Sequence, residues 1–116
     1  MILKIDMASD VPIYQQVRDE IVCLIGMGEL SSGDELPTVR SLAEDLDINP
    51  MTIQKSYNML KNEGFVEIHR RSGAQVSSLK NLRQNEFENT FKKLLLEAKA
   101  RGYNLDELIR KVQNDI

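Results

Sequence analysis

The 116-residue chain has one cysteine, one histidine, no long apolar run and no surplus of basic charge, and each lack closes off a class of function. A single cysteine cannot form a disulfide within the chain, which removes a disulfide framework and suits a reducing compartment. Cys23 falls in the apolar run EIVCLIGMG, which predicts a buried thiol on a helix face. His69 stands beside Arg70 and Arg71 in a predicted turn, with no second histidine to complete a zinc site, so no metal and no other cofactor is expected. Neither Cys23 nor His69 has a sequence partner to act as base or orienting group, and an enzyme is not expected. Wholly apolar stretches span only a few residues, and Lys4, Asp6 and Asp10 interrupt the first ten positions. Neither a membrane span nor a signal peptide fits that pattern, and the reading is a soluble cytoplasmic protein with no membrane partner.

A formal net charge of −3 argues weakly against nucleic acid, whose binders usually carry a basic footprint. The charge is uneven, however. Residues 1–36 carry two basic and seven acidic side chains, whereas residues 37–80 carry six basic and five acidic. Acidity belongs to the front of the chain, and the middle is free to meet an anion.

Apolar residues at Ile13, Val17, Ile21, Leu24 and Ile25 predict a first helix from Pro12 to about Gly28, with Pro12 in its first turn. The segment ELSSGDELP reads as a turn. Thr38 is placed to cap a short second helix through VRSLAEDL, whose Val39, Leu42, Ala43 and Leu46 face inward. Asn49 and Pro50 then start a third helix abruptly, as N-cap and first helical residue. Its inner face is Ile53, Tyr57 and Leu60, with Ser56 small enough for close approach, and Gly64 ends it. Met51, Thr52, Gln54, Lys55 and Asn58 are left facing outward.

Beyond Gly64, Val66 and Ile68 alternate with Glu67 and His69, RRSG makes a turn, and Val76 resumes an apolar face. This predicts a two-stranded hairpin that must pack on the helices, because two strands alone are marginal. Leu82, Phe87, Phe91, Leu94, Leu95 and Ala98 then predict a helix from about Asn81 to Ala100, closed by Gly102. Asn104 and Glu107 have capping-box spacing and open a last helix with Leu105, Leu108, Ile109 and Val112 on one face. Two such helices cannot bury both stripes alone and need the first domain or another subunit.

Helix, helix, tight turn, helix, hairpin is the order of a winged helix-turn-helix. The expected fold is therefore mainly α with a small β wing, followed by two C-terminal helices. A helix with a polar N-terminal face, held by a partner helix across a short turn, places that face in a major groove of double-stranded DNA, where amides, hydroxyls and ammonium groups find donors and acceptors.

The string PIYQQVRDEI…GELSSGDELPTVRSLAEDLDINPMTIQKSYNMLKNEGFVEI resembles the DNA-binding domain of the GntR family of bacterial transcription regulators over about residues 10–78. Within the family, LPTVRSLAEDLDINPMTIQKSYNML is most similar to the YtrA-like subgroup, whose members add only two short helices. The resemblance implies a homodimer on a palindromic operator, a repressor's role, frequent control of membrane-transporter genes, a DNA-binding domain over 1–79 and a dimerisation segment over 80–116. Arg40 matches the Arg of the family's Leu-Pro-x-x-Arg motif, which reaches the operator. Thr52 matches a phosphate-bonding Thr of the recognition helix, Asn49 the polar residue at its start, and Lys55 a position often Arg or Lys. Gln54 departs from the Arg of larger relatives. The wing, Arg70, Arg71 and Gly73 included, has one glycine where the family usually has two. The apolar stripes of the last two helices, Phe87, Phe91, Leu94 and Leu95 with Leu105, Leu108, Ile109 and Val112, exceed what one small domain needs to cover and are the expected dimerisation residues.

Each site has a plainer reading. Arg40 can pair with Glu44, four residues on. Met51 can touch a thymine methyl or fill a gap beside the turn. An adaptor that binds protein through the third helix is the competing function, and it predicts an apolar outer face where this sequence is polar. The tail is expected to lack an enclosed metabolite pocket, since two helices hardly wall a cavity of roughly 300–1,000 Å³. The sequence names no effector.

Overall fold

The computed structural model describes residues 1–70, 73–78 and 85–116. Among these, the elements in chain order are α1 (Ile13–Gly26), α2 (Val39–Leu46), α3 (Pro50–Glu63), β1 (Val66–His69), β2 (Gly73–Val76), α4 (Asn85–Ala100) and α5 (Leu105–Asp115). The chain divides into two compact units, Met1–Leu82 and Arg83–Ile116. The fold is the mainly helical winged helix-turn-helix that the order of parts implied.

In the first unit the core draws Val17, Ile21 and Leu24 from α1, Leu42 and Ala43 from α2, Ile53, Tyr57 and Leu60 from α3, and Val66, Ala74 and Val76 from the hairpin. The α1 residues recur every three or four positions, as one helical stripe requires. Pro12 lies just outside α1, at the N-cap, and Met27 rather than Gly28 is the C-cap. Cys23 is exposed, which corrects the expected buried thiol. It sits about 100° round the helix from Leu24, on the side away from Ile21, so an apolar run in sequence is not an apolar face in space.

Thr38 Oγ1 accepts from Ser41 N at 3.0 Å and opens α2. Its end is sharp because Asp47 takes a left-handed conformation, φ 54°, that short polar side chains tolerate better than most. Ile48 N then returns to Ala43 O at 3.0 Å, and α3 starts two residues later.

Helix α3 is held on both sides by polar bonds as well as by apolar packing. The fully buried Ser56 hydroxyl lies 2.8 Å from Tyr14 O on α1 and 3.2 Å from Thr52 O in its own helix. Tyr57 Oη donates to Pro37 O at 2.7 Å, fastening the α1–α2 connection to α3. Arg18 of α1 forks onto Glu63, at 3.0 Å from Nε and 2.7 Å from Nη2, and its guanidinium lies over Phe65.

Strands β1 and β2 pair antiparallel from Val66↔Val76 to His69↔Gly73. The hairpin gains a partner that periodicity did not predict. Leu36 N donates to Ala74 O at 2.9 Å and Val76 N to Asp34 O at 2.8 Å, and Glu35 bridges Gln75. The α1–α2 connection thus works as a short third strand, which supplies the extra pairing a two-stranded ribbon needs. The expected alternation in β1 fails at Ile68, which is 37% exposed, because only Val66 reaches the helices.

In the second unit Asn104 Oδ1 accepts from Glu107 N at 3.1 Å and caps α5. Gly102 turns the chain with φ 90°, and Tyr103 N bonds Ala98 O at 3.1 Å. No described residue of α4 or α5 is fully buried. Leu82, expected on the first of these helices, lies outside the described residues.

Burial raises the Tyr57 phenol pKa well above its ordinary value. The unfolded phenol ionises near pH 10 while the folded one stays protonated, so the stability it contributes is present below about pH 10 and declines as pH rises beyond it. Tyr57→Phe should flatten that alkaline decline and, by leaving Pro37 O without its donor, cost about 1–2 kcal/mol at neutral pH in urea unfolding.

Candidate nucleic-acid interface

The outer face of α3 is built by its register. With Ile53, Tyr57 and Leu60 directed into the core, Met51, Gln54, Lys55 and Asn58 all stand exposed on the opposite side. The only carboxylate of α3 is Glu63, in its last turn, and Arg18 holds it. The N-terminal half therefore offers amide, ammonium and thioether groups with no acid among them.

Each predicted residue of α3 and its cap has a definite setting. Asn49 Oδ1 accepts from Met51 N at 2.8 Å, so the cap uses the carbonyl end of the amide. The NH₂ end remains a donor toward a ligand. Met51 is 79% exposed, which excludes the gap-filling role. Thr52 is half-buried on the side of α3 that turns toward α1, a correction to its expected outward position. Gln54 Nε2 donates to Asn58 Oδ1 at 3.1 Å, one helical turn on. Lys55 Nζ sits 3.8 Å from the centroid of the Tyr14 ring.

Arg40 lies in the first turn of α2 with its side chain 89% exposed, and its Nε meets Glu44 Oε1 at 3.3 Å. The plainer pairing is thus made, but by one long contact between two solvated groups, which contributes little to stability and leaves the guanidinium free to exchange partners. In the wing, Arg70 is exposed, and His69 Nε2 lies 3.4 Å from Glu67 Oε2. Arg71 lies outside the described residues. Gly73 has φ 78° with open space where a Cβ would stand, so backbone conformation rather than crowding asks for glycine there. Both α2 and β1 pack on α3, which brings these three neighbouring elements together.

The fold also involves a residue that periodicity did not single out. Tyr14 stands at the start of α1, and only the packing of α1 on α3 brings its ring under Lys55. No local pattern carries that contact.

In the second unit Phe91, Leu94, Leu95, Leu108, Ile109 and Val112 line an apolar trough of about 520 Å³ together with Ala98 and Tyr103. Two helices therefore shape more of a hollow than expected, although it is open rather than enclosed. Phe87 is 71% exposed and Leu105 half-buried. Among the described residues no group of histidine, cysteine or carboxylate side chains could hold a metal, and no helix is long and apolar enough to cross a membrane.

Residues 13–76, from α1 to the end of β2, match the family of bacterial regulatory proteins designated gntR. The chain is 31% identical to the HTH-type transcriptional repressor YtrA of Bacillus subtilis (strain 168), over 98% of this chain and 94% of that one. Among solved structures it is similar to YtrA from Sulfolobus acidocaldarius, a GntR-family transcription factor, with 37% identity, a TM-score of 0.70, and coverage of 86% of this chain and 99% of that one. The DNA-binding domain of AraR, solved in complex with its operator ORX1, shares the fold at 23% identity and a TM-score of 0.60, over 66% of this chain and 99% of that one.

The cap geometry separates two roles of Asn49. Asn49→Ala should cost about 1 kcal/mol of stability, whereas Asn49→Asp keeps the accepting oxygen and should stay within about 0.5 kcal/mol of the parent in thermal and urea unfolding.

Proposed function

The chain belongs to the GntR family of bacterial regulatory proteins, and from that premise we propose that it is a cytoplasmic, sequence-specific DNA-binding repressor that occupies a palindromic operator as a homodimer. Control of genes for membrane transporters is part of the proposal, by analogy with the subgroup it resembles. The observation that carries the reading is the acid-free polar face on the N-terminal half of α3, presented by a helix whose other face is wholly committed to the core. A protein-binding adaptor would want an apolar surface there; a major groove wants donors and acceptors.

In this reading the DNA-binding domain spans 1–79. Arg40, Asn49, Met51, Thr52, Gln54 and Lys55 face the duplex, and Arg70, Arg71 and Gly73 belong to the wing. Thr52, half-buried toward α1, suits a phosphate at the groove's edge better than a base at its floor. Arg40 exchanges Glu44 for the operator, because an arginine fork bonds a guanine edge or phosphate in two places where Glu44 now meets it once.

The segment 80–116 is proposed to join two copies through Phe87, Phe91, Leu94, Leu95, Leu105, Leu108, Ile109 and Val112. The apolar trough between α4 and α5 supports this, since an uncovered patch of that kind is unfavourable in water. A twofold dimer presents two recognition helices to successive major grooves, about 34 Å apart, and so reads a palindrome.

Duplexes selected by the protein from a random pool supply the test. Arg40→Ala should weaken binding to the selected duplex by about 1–3 kcal/mol with the fold intact, and parental affinity would leave Arg40 as a partner of Glu44 alone. Residues 1–82 expressed alone should sediment as a monomer and bind the duplex weakly; a dimer would place the interface in the first unit.

A further inference from the structure

We propose that Tyr14 is a positioning residue for DNA binding: its ring holds the Lys55 ammonium at the α1 border of the recognition face, assigning Lys55 to a backbone phosphate rather than to a base edge. This rests on the DNA-binding reading above and specifies one contact within it.

The placement follows from helix register. Ser56, the next residue, is fully buried with its hydroxyl 2.8 Å from Tyr14 O, so this side of α3 lies directly against the first turn of α1. Met51, Gln54 and Asn58 recur at helical spacing along the middle of the outer face, and Lys55 stands to the α1 side of them. A lysine there could swing across to the middle of the face. Instead Nζ rests 3.8 Å from the Tyr14 ring centroid, on a residue that is itself half-buried and fixed by its backbone carbonyl. The middle of a recognition helix meets base edges and its flanks meet the sugar-phosphate walls of the groove, so the anchored ammonium is directed to a wall.

An aromatic ring suits this task better than a carboxylate. Arg40 is held by Glu44, whose charge opposes its own and must be displaced before an anion is engaged. The Tyr14 ring attracts the Lys55 ammonium through its quadrupole and leaves the positive charge whole. An ammonium has three N–H donors; those turned away from the ring remain for phosphate oxygens. Restraining a long side chain before binding also reduces the rotamer entropy lost on binding.

The experiment is a double-mutant cycle between Tyr14 and Lys55, read by fluorescence anisotropy over a range of salt concentrations, on a labelled duplex selected from a random pool by the parent protein. Tyr14→Leu should weaken binding about two- to fivefold in the Lys55 background and have no further effect in Lys55→Ala, while Tyr14→Phe, which keeps the ring, should bind like the parent. The slope of log affinity against log salt should fall by about 1 in Lys55→Ala and keep its parental value in Tyr14→Phe. Unfolding midpoints measured alongside separate lost folding from lost binding.

Equal losses from Tyr14→Leu in both backgrounds would overturn the proposal by showing that Tyr14 acts without Lys55. A loss in Tyr14→Phe as large as in Tyr14→Leu would overturn it in favour of the hydroxyl. A measurement on the unaltered protein covers the case in which Tyr14→Leu does not fold. The Lys55 ε-methylene resonance should be shifted upfield by the ring in free protein and stay upfield on the duplex; its return to the ordinary lysine position on DNA would also reject the anchor. A pool from which no sequence is enriched, with no affinity for duplex DNA, overturns the DNA-binding reading itself, an outcome distinct from binding that is indifferent to Tyr14.

Discussion

The structure depends on α3 being gripped from three directions while one side is left untouched. A 14-residue helix with so polar a sequence is marginal alone, and its stability comes from what packs on its inner face. Ile53, Tyr57 and Leu60 supply the apolar part of that grip, and Ser56 allows α1 to approach closely enough for its hydroxyl to reach the Tyr14 carbonyl. Tyr57 reaches the α1–α2 connection and Glu63 receives the Arg18 fork. With one face so committed, the other is free of any structural duty, and its residues can be chosen for a ligand.

The same bonds link recognition helix and wing. Tyr57 fastens Pro37, and the residues just before Pro37 pair with β2 through Leu36, Glu35 and Asp34. The α1–α2 connection thus binds α3 and the hairpin at once. A displacement of the hairpin would strain either the short strand or the Tyr57 bond, so the wing's orientation is set by the same core that sets the helix. This is why a hairpin with only Val66, Ala74 and Val76 buried can hold its place.

Local chemistry was legible in the sequence and contacts between distant segments were not. Thr38, Asn49 and Asn104 cap the helices they were expected to cap, and Gly64 and Gly102 turn left-handed where helices stop, because each effect acts within a few residues. The winged helix-turn-helix was legible because its parts follow one another in order. Cys23 lies in an apolar run but off the buried stripe, because a run in sequence is not a face in space, and Ile68 stays exposed because alternation says which side a residue is on but not whether anything covers it. Polarity points Thr52 outward, but its register turns it toward α1, where it is half-buried. The pairing of residues 34–36 with β2, and the ring beneath Lys55, join segments some 40 residues apart and leave no periodic trace.

Net acidity and an anionic ligand are compatible once charge is considered by location. Screening confines a charge's influence to about 10 Å at ordinary salt, so a duplex on the outer face of α3 responds to the groups around it rather than to the whole chain. The seven carboxylates of residues 1–36 lie on the N-terminal segment, α1 and the α1–α2 connection, and Asp19 is tied to Arg18 and Gln15. On the N-terminal half of α3 there is no carboxylate at all, and among the described residues the one acid that pairs with a candidate contact, Glu44, does so through a single long bond. In the proposed reading, then, the groups of α2 and α3 within about 10 Å of the duplex, rather than the net charge of the whole chain, decide whether it is held.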